Sequence, residues 1–444
     1  MKTFVLLIPV VLSYISANSQ AFYPVPAVRD TVQFNKGIAR TAWLLASSSR
    51  GNRKDVRILV YGQSISEQSW WKDVRDFVKD RFPLANITFV NRAIGGFSSE
   101  RLKLMAENDV VSFYPDLILF HDYGNEADYE QIIQMIRRRT TAEIALQTDH
   151  MAVQGQEWHD KHSQVWLPSM CSKYQLALID VRSIWKAYLK ENNLVIKDLL
   201  SDGVHLNAHG NYLMASIMKK YFGALRPAED SSSYVKYLAA GTEFSVKGNQ
   251  IELPVNGNRV DLVWKPVVSR NRQVLVYSDE KKPSTLNACY YYTRPAFDNT
   301  SFLRKIGQVL AMKLANTAKE EEWAMTFTAT DSVKQQMTFS LKGSLTGEDG
   351  SGTSESTFVS NSGKITIEPA NWFRAKEFAG FPWVKAGEVL KWKVKCMCKD
   401  EVQPLATAVT TVLQGIENSQ HILKLKGKGV MDLQGIRVYA PALK

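Results

Sequence analysis

The stretch "LVYGQSISEQSWW" (residues 59–71) is an aliphatic run that stops at a glycine and two polar residues before a tryptophan pair. With the residues before it ("VRILVYG", 56–62) it is apolar at consecutive positions, the pattern of a strand covered on both faces, as in parallel sheets. Four more runs share this character: "ITFVNRA" (87–93), "DLILFHD" (116–122), "AEIALQT" (142–148) and "LALIDVR" (176–182). Between them the sequence predicts helices over 68–82, 99–107, 128–139, 157–173 and 183–192. Alternation of this kind implies an α/β fold, a central parallel sheet with helices on both faces. Ligands of such sheets bind beyond the carboxyl ends of the strands. Gly62-Gln63-Ser64 is then the turn leaving that end, and Ser64 rises into the cleft.

The chain has 444 residues with 45% hydrophobic content, too many for one core, and its pattern changes near "LRPAEDSSSYVKY" (225–237). This polar stretch reads as a linker. Beyond it come many short strand-like runs, among them "RVDLVW", "QVLVYS", "EWAMTFTAT" and "IRVYAP", punctuated by Gly, Asn and Asp. They predict a β-sandwich or jelly roll. The opening "MKTFVLLIPVVLSYISANSQAF" carries Lys2, an apolar run from Phe4 to Ile15 and then small residues. It reads as an export signal, since the run is short for a membrane span of roughly 20 residues. The expected division is a signal peptide at 1–20, an α/β domain at 21–228 and a β-rich accessory domain at 229–444. The mature protein is expected to have no membrane span and to be periplasmic or secreted.

Four cysteines do not make a disulfide framework in a chain of this length. Cys396 and Cys398 ("VKCMCKD") are read as strand residues, and Cys171 and Cys289 as small buried ones, with a Cys171–Cys289 bridge as the alternative. His209, four residues after His205, and the "HDKH" segment with His159 and His162 lack the further ligands of a metal site. No metal is expected. Of the net charge of +11, residues 231–444 carry +8. Solubility explains such a surface, and attraction to an acidic polysaccharide is the functional alternative. No nucleic-acid-binding signature accompanies it.

A serine hydroxyl is a weak nucleophile without a base. "LLSDGVHLNAHGNYLMA" (199–215) supplies a candidate, because Asp202 and His205 lie three residues apart around Gly203. One turn brings the carboxylate to the imidazole Nδ1 and leaves Nε2 to take the serine proton. Acyl transfer also needs donors for the developing oxyanion. "NRAIGGFSSERL" (91–102) offers a backbone N–H at Gly96 or Gly95, and "FHDYGNEADY" (120–129) offers the amide of Asn125.

Taken together, "GQS" (62–64), "NRAIGG" (91–96), "GNE" (124–126) and "DGVH" (202–205) resemble the four blocks of the SGNH, or GDSL, hydrolase superfamily, over about residues 38–222. The resemblance implies a three-layer α/β/α domain with Ser64 as nucleophile and His205 as base, oriented by Asp202. It also implies an oxyanion hole of Ser64, Gly96 and Asn125, with Gly95 as the fallback, and no cofactor. Gln63 and Glu126 stand where the commonest form has Asp. A G-Q-S turn is similar to that of carbohydrate acetyl esterases, so the implied substrate is a carbohydrate ester, such as that of a plant cell-wall polysaccharide or its oligosaccharides. The alternatives are a lipid esterase or thioesterase of the same superfamily and a non-catalytic glycan-binding protein. Trp70, Trp71, Arg92 and Trp158 are the candidates for substrate contact, with core burial the competing role for at least one of the tryptophan pair and a salt-bridged structural role the competing one for Arg92.

Overall fold

The computed structural model describes residues 23–226, 234–269, 272–297, 304–315, 318–374 and 380–443. The expected export signal and most of the linker lie outside the described residues. The five strands expected from the sequence form one parallel sheet: β1 (Asp55–Gly62), β2 (Asn86–Asn91), β3 (Leu117–His121), β4 (Glu143–Gln147) and β5 (Ala177–Ile179), in the order β2-β1-β3-β4-β5. Each neighbouring pair is parallel.

Alternation along β1 explains the three layers. Val56, Ile58 and Val60 face one core with Trp70, Val74 and Leu213, while Leu59 and Tyr61 face a second with Phe97, Val110 and Ile133. Both faces are therefore dry, which is why the run reads as continuously apolar. The expected helices are present as Trp70–Arg81, Ser99–Phe113, Glu126–Arg139, Gln156–Tyr174 and Val181–Glu191, the fourth holding one wide turn at His162–Trp166. Helix Ala208–Gly223 follows the "DGVH" block.

The second half is antiparallel β structure with two hydrophobic clusters. A six-stranded sheet is built from Val235–Ala239, Gln250–Trp264, Val274–Ser278, Glu401–Val402, Val409–Lys426 and Leu433–Tyr439. Its cluster includes Trp264, Val412, Leu413 and Ile436. Between its third and fourth strands in sequence the chain makes a second unit, Tyr290–Cys396, around Trp323, Phe327, Phe339 and Trp392. Cys289 and Cys398, on either side of that unit, are joined by a disulfide with Cα atoms 5.5 Å apart. This corrects the reading of Cys398 as an unpaired strand residue and excludes a Cys171–Cys289 bridge. Cys171 is a buried free thiol in the α/β core, and Cys398 lies just past the strand that ends at Cys396.

The halves are bonded to each other. Arg294 of the β half forms an ion pair with the buried Asp109 at 2.6 Å, and Tyr61 donates to the same carboxylate at 3.2 Å. Tyr114 donates to Asn258 at 2.7 Å, and Gln414 donates to the Val111 carbonyl at 2.9 Å. Ile306, Leu310 and Phe373 extend the α/β core from the β side.

Candidate active site

β1 ends at Gly62 because nothing larger fits there. Its φ is +137°, and an added Cβ would lie 1.8 Å from the His121 carbonyl oxygen of β3. The chain turns into the short helix Ser64–Glu67, capped by the Gln63 side chain, whose oxygen accepts from the Ile65 N–H at 3.1 Å. Trp70 braces this turn from below through an Nε1–H bond to the Ile65 carbonyl at 2.6 Å.

Ser64 Oγ lies 3.0 Å from His205 Nε2 and 2.7 Å from Gln63 Oε1. Its single proton thus has two acceptors. His205 Nδ1 lies 2.8 Å from Asp202 Oδ2, the arrangement in which Nδ1–H donates and Nε2 is free to accept. Asp202 is held in place by its other oxygen, which accepts the Val204 and His205 N–H groups at 2.7 Å each. Those two backbone donors pull its pKa down to about 2. The same loop is anchored from behind by His150, whose Nε2 lies 2.7 Å from the Val204 carbonyl oxygen. Burial pushes the His150 pKa down to about 3, so near neutral pH its ring is uncharged and Nε2–H donates to that carbonyl.

The two glycines of the second block differ in what their N–H groups do. Gly95 donates to Glu67 Oε2 at 2.8 Å and is committed. Gly96, at φ +79°, donates to no partner among the described residues and lines the cavity beside Ser64. The Ser64 N–H, at the start of its helix, is also free for a ligand. Asn125 caps helix Glu126–Arg139, its side-chain oxygen accepting from the Ala127 and Asp128 N–H groups, a task that does not use its Nδ2–H donors, and Tyr123 lines the cavity.

The remaining candidates separate clearly. Trp70 is buried in the core. Trp71 is half-buried, stacked against Phe89 and covered by Arg75. Arg92 is folded back onto Ser112 at 2.9 Å and the Asp109 carbonyl, so its contacts are structural. None of the three lines the cavity. Trp158 is exposed, stacked on His162 at 4.7 Å and edge-on to Tyr123 at 6.3 Å, which puts it one residue away from the cavity wall. His209 is held between Tyr23 and Tyr188. His159 and His162 are bonded to Asp149 and Glu126.

The cavity has a volume of about 670 Å³. Phe97, Tyr123 and Val204 form apolar walls, and Arg101 adds a cation. Arg304 and Phe381 close it from the β half, Arg304 meeting Glu67 at 3.2 Å. Sequence reasoning missed these two, and no local signal marks them. It also passed over Glu67, although Glu67 lies one helical turn from Ser64. Behind the nucleophile, Gln63 Nε2 lies 3.3 Å from His121 Nδ1, and His121 Nε2 lies 3.1 Å from the buried Asp149. His121 therefore supports the turn from inside the sheet.

No family model and no curated protein matches the chain. Among solved structures, a two-domain esterase active on acetylated mannans aligns over 93% of this chain and 96% of its own at 13% identity and TM-score 0.37. An acetylxylan esterase from Geobacillus stearothermophilus aligns over 38% and 96% at 18% identity and TM-score 0.34. An acetyl xylan esterase aligns over 37% and 98% at 22% identity and TM-score 0.34. Similarity of this size leaves the chemistry to be argued from the site itself.

Proposed function

We propose that the chain is a serine esterase that removes small acyl groups, acetyl in the first instance, from a carbohydrate. The observation that carries this reading is the continuous line Asp202–His205–Ser64, with contacts of 2.8 and 3.0 Å, opening into a cavity beside a free Gly96 N–H.

In the reaction Ser64 Oγ attacks the ester carbonyl as its proton passes to His205 Nε2. The N–H groups of Ser64 and Gly96 stabilise the oxyanion, and Asp202 stabilises the imidazolium. The tetrahedral intermediate collapses, and His205 returns the proton to the departing sugar oxygen. Water, activated by the same imidazole, then cleaves the acyl-enzyme and regenerates Ser64.

The two halves share the work in this reading. Residues 21–228 hold the nucleophile and base, and residues 229–444 supply Arg304 and Phe381 to the cavity. Tyr123, with Trp158 behind it, offers an aromatic surface for a sugar ring. The disulfide supports export, since such bonds persist in oxidising compartments.

Ser64→Ala and His205→Ala should each lower kcat/KM on 4-nitrophenyl acetate by about 10³-fold or more. Full activity in the first would end this mechanism. The apolar walls at Phe97, Val204 and Phe381 favour the lipid-esterase alternative. A series of acyl chain lengths separates the two: rates falling steeply beyond acetyl support the carbohydrate reading, and rates rising with chain length support the alternative.

A further inference from the structure

A second cavity, of about 690 Å³, lies at the opposite end of the parallel sheet, where Asp55 and Asn86 begin β1 and β2. The length of β1 puts it roughly 25 Å from Ser64. Its other wall is the six-stranded sheet of the β half, through Tyr237, Trp264 and Arg437.

The charge of this cavity is one-sided. Arg40, Arg50, Arg53, Lys54 and Arg437 line it, against the single carboxylate of Asp55. Arg40 is neutralised by Asp116 at 2.6 Å. Arg53 donates only to neutral oxygens, those of Asn86 at 2.9 Å, Pro83 at 3.1 Å and Ala85 at 3.4 Å. The Arg50 and Arg437 side chains make no hydrogen bond or ion pair among the described residues. A smaller chamber behind it is lined by Arg40, Lys54, Arg57, Arg259 and Arg437 against Asp55, Asp116 and Asp261. Asp261 accounts for Arg259, whereas the Arg57 guanidinium donates only to the Phe113 carbonyl at 3.1 Å. Burial and the Arg259 charge hold the Arg57 pKa below its ordinary value. An interior with surplus positive charge is stabilised by an anion.

The wall is also shaped for a ring. Tyr237 is 44% exposed. The hydroxyl end of its ring lies against Gly435, where an added Cβ would come within 2.4 Å of it. Tyr237 is directly opposite Arg437 on the neighbouring strand. A partly exposed aromatic ring thus stands beside a guanidinium with no ion-pair partner among the described residues.

We propose that this cavity is a second binding site, for an acidic saccharide. The carboxylate or sulfate of the sugar sits on Arg50 and Arg437, and the ring packs on Tyr237. Such a site holds a polysaccharide at the enzyme while the distant catalytic cleft works on it. The anion preference follows from the cavity alone, whereas the choice of a saccharide rests on the proposed carbohydrate esterase.

Binding is therefore measured calorimetrically on Ser64→Ala full-length protein, so that turnover plays no part, with acetate release assayed separately on the parent. The probes are a uronate oligosaccharide, a sulfated oligosaccharide, a neutral oligosaccharide and a single-stranded oligonucleotide of matched charge. At least one acidic saccharide should bind, more weakly as salt rises, and about ten-fold more weakly after Arg50→Gln with Arg437→Gln. Tyr237→Ala should weaken it several-fold. Arg50→Gln alone, in an exposed loop, decides the matter if the double variant does not fold. The proposal is overturned if neither acidic saccharide binds, if the arginine variants bind as the parent does, or if the oligonucleotide binds as tightly.

Discussion

In the parallel half, strands meet across short crossovers: Arg53 and Asn86, 33 residues apart, are already hydrogen bonded beside β1 and β2. In the β half, Trp264 donates to Thr410 across 146 residues, because the whole Tyr290–Cys396 unit is threaded between strands of one sheet. The first half is organised by local connection, and the second by closure of a long loop. Closure of this kind depends on what ties the neck, and here that is Cys289–Cys398, 109 residues apart in sequence.

Breaking the tie tests the contrast most strongly. Cys289→Ser with Cys398→Ser frees a 109-residue loop, for which chain entropy assigns about 4–5 kcal/mol. Amide hydrogen exchange in peptides from the β cores should shift to lower denaturant, while loss of aryl acetate hydrolysis should shift less. Coincident shifts of equal size would show that the halves unfold as one unit.

The seam between the halves comes next. Asp109 is buried and accepts from Arg294 and Tyr61. Asp109→Ala leaves the guanidinium without its partner, which costs about 3 kcal/mol for a buried pair. Urea unfolding should show the loss, and the variant should lose activity on oligosaccharide esters before activity on aryl acetates.

A smaller effect isolates the β half's share of the site. Phe381→Ala removes a wall of the cavity without touching Ser64 or His205. KM for an acetylated oligosaccharide should rise about five-fold with kcat little changed, while 4-nitrophenyl acetate is hydrolysed as before. Equal losses on both substrates would place Phe381 in support of the nucleophile turn.

What the sequence revealed follows the same division. β1 to β5 were legible because buried parallel strands are written as unbroken apolar runs, and Ser64, Asp202 and His205 because each sits in a short turn with its own signature. Gly96 over Gly95 was decided by a carboxylate, Glu67, whose reach no spacing rule gives. Asn125 was read as a donor to the cavity, and its side-chain oxygen also caps the helix that follows, a second task that an Asn before a helix is suited to. Trp70 and Arg92 looked like substrate contacts from their proximity in sequence, yet each points away from the cavity into packing. Arg304, Phe381 and the Cys289–Cys398 pair depend on how distant strands close, which alternation and turn residues do not encode.

The gentlest test concerns acid. Asp202 has its pKa lowered to about 2 by the Val204 and His205 N–H groups, so the stability it contributes is fully present above about pH 4. That contribution is lost as the pH falls toward 2. Its carboxylate is 54% exposed, so solvent screening keeps the effect below about 1 kcal/mol. Asp202→Asn should therefore flatten the unfolding free energy between about pH 4 and 2 relative to the parent, leaving the β cores unaffected. Because the group that titrates lies wholly in the parallel half, a matching change in the amide hydrogen exchange of the β half would mean that the loop at the base is read across the seam, and the two halves would then be coupled through the site itself.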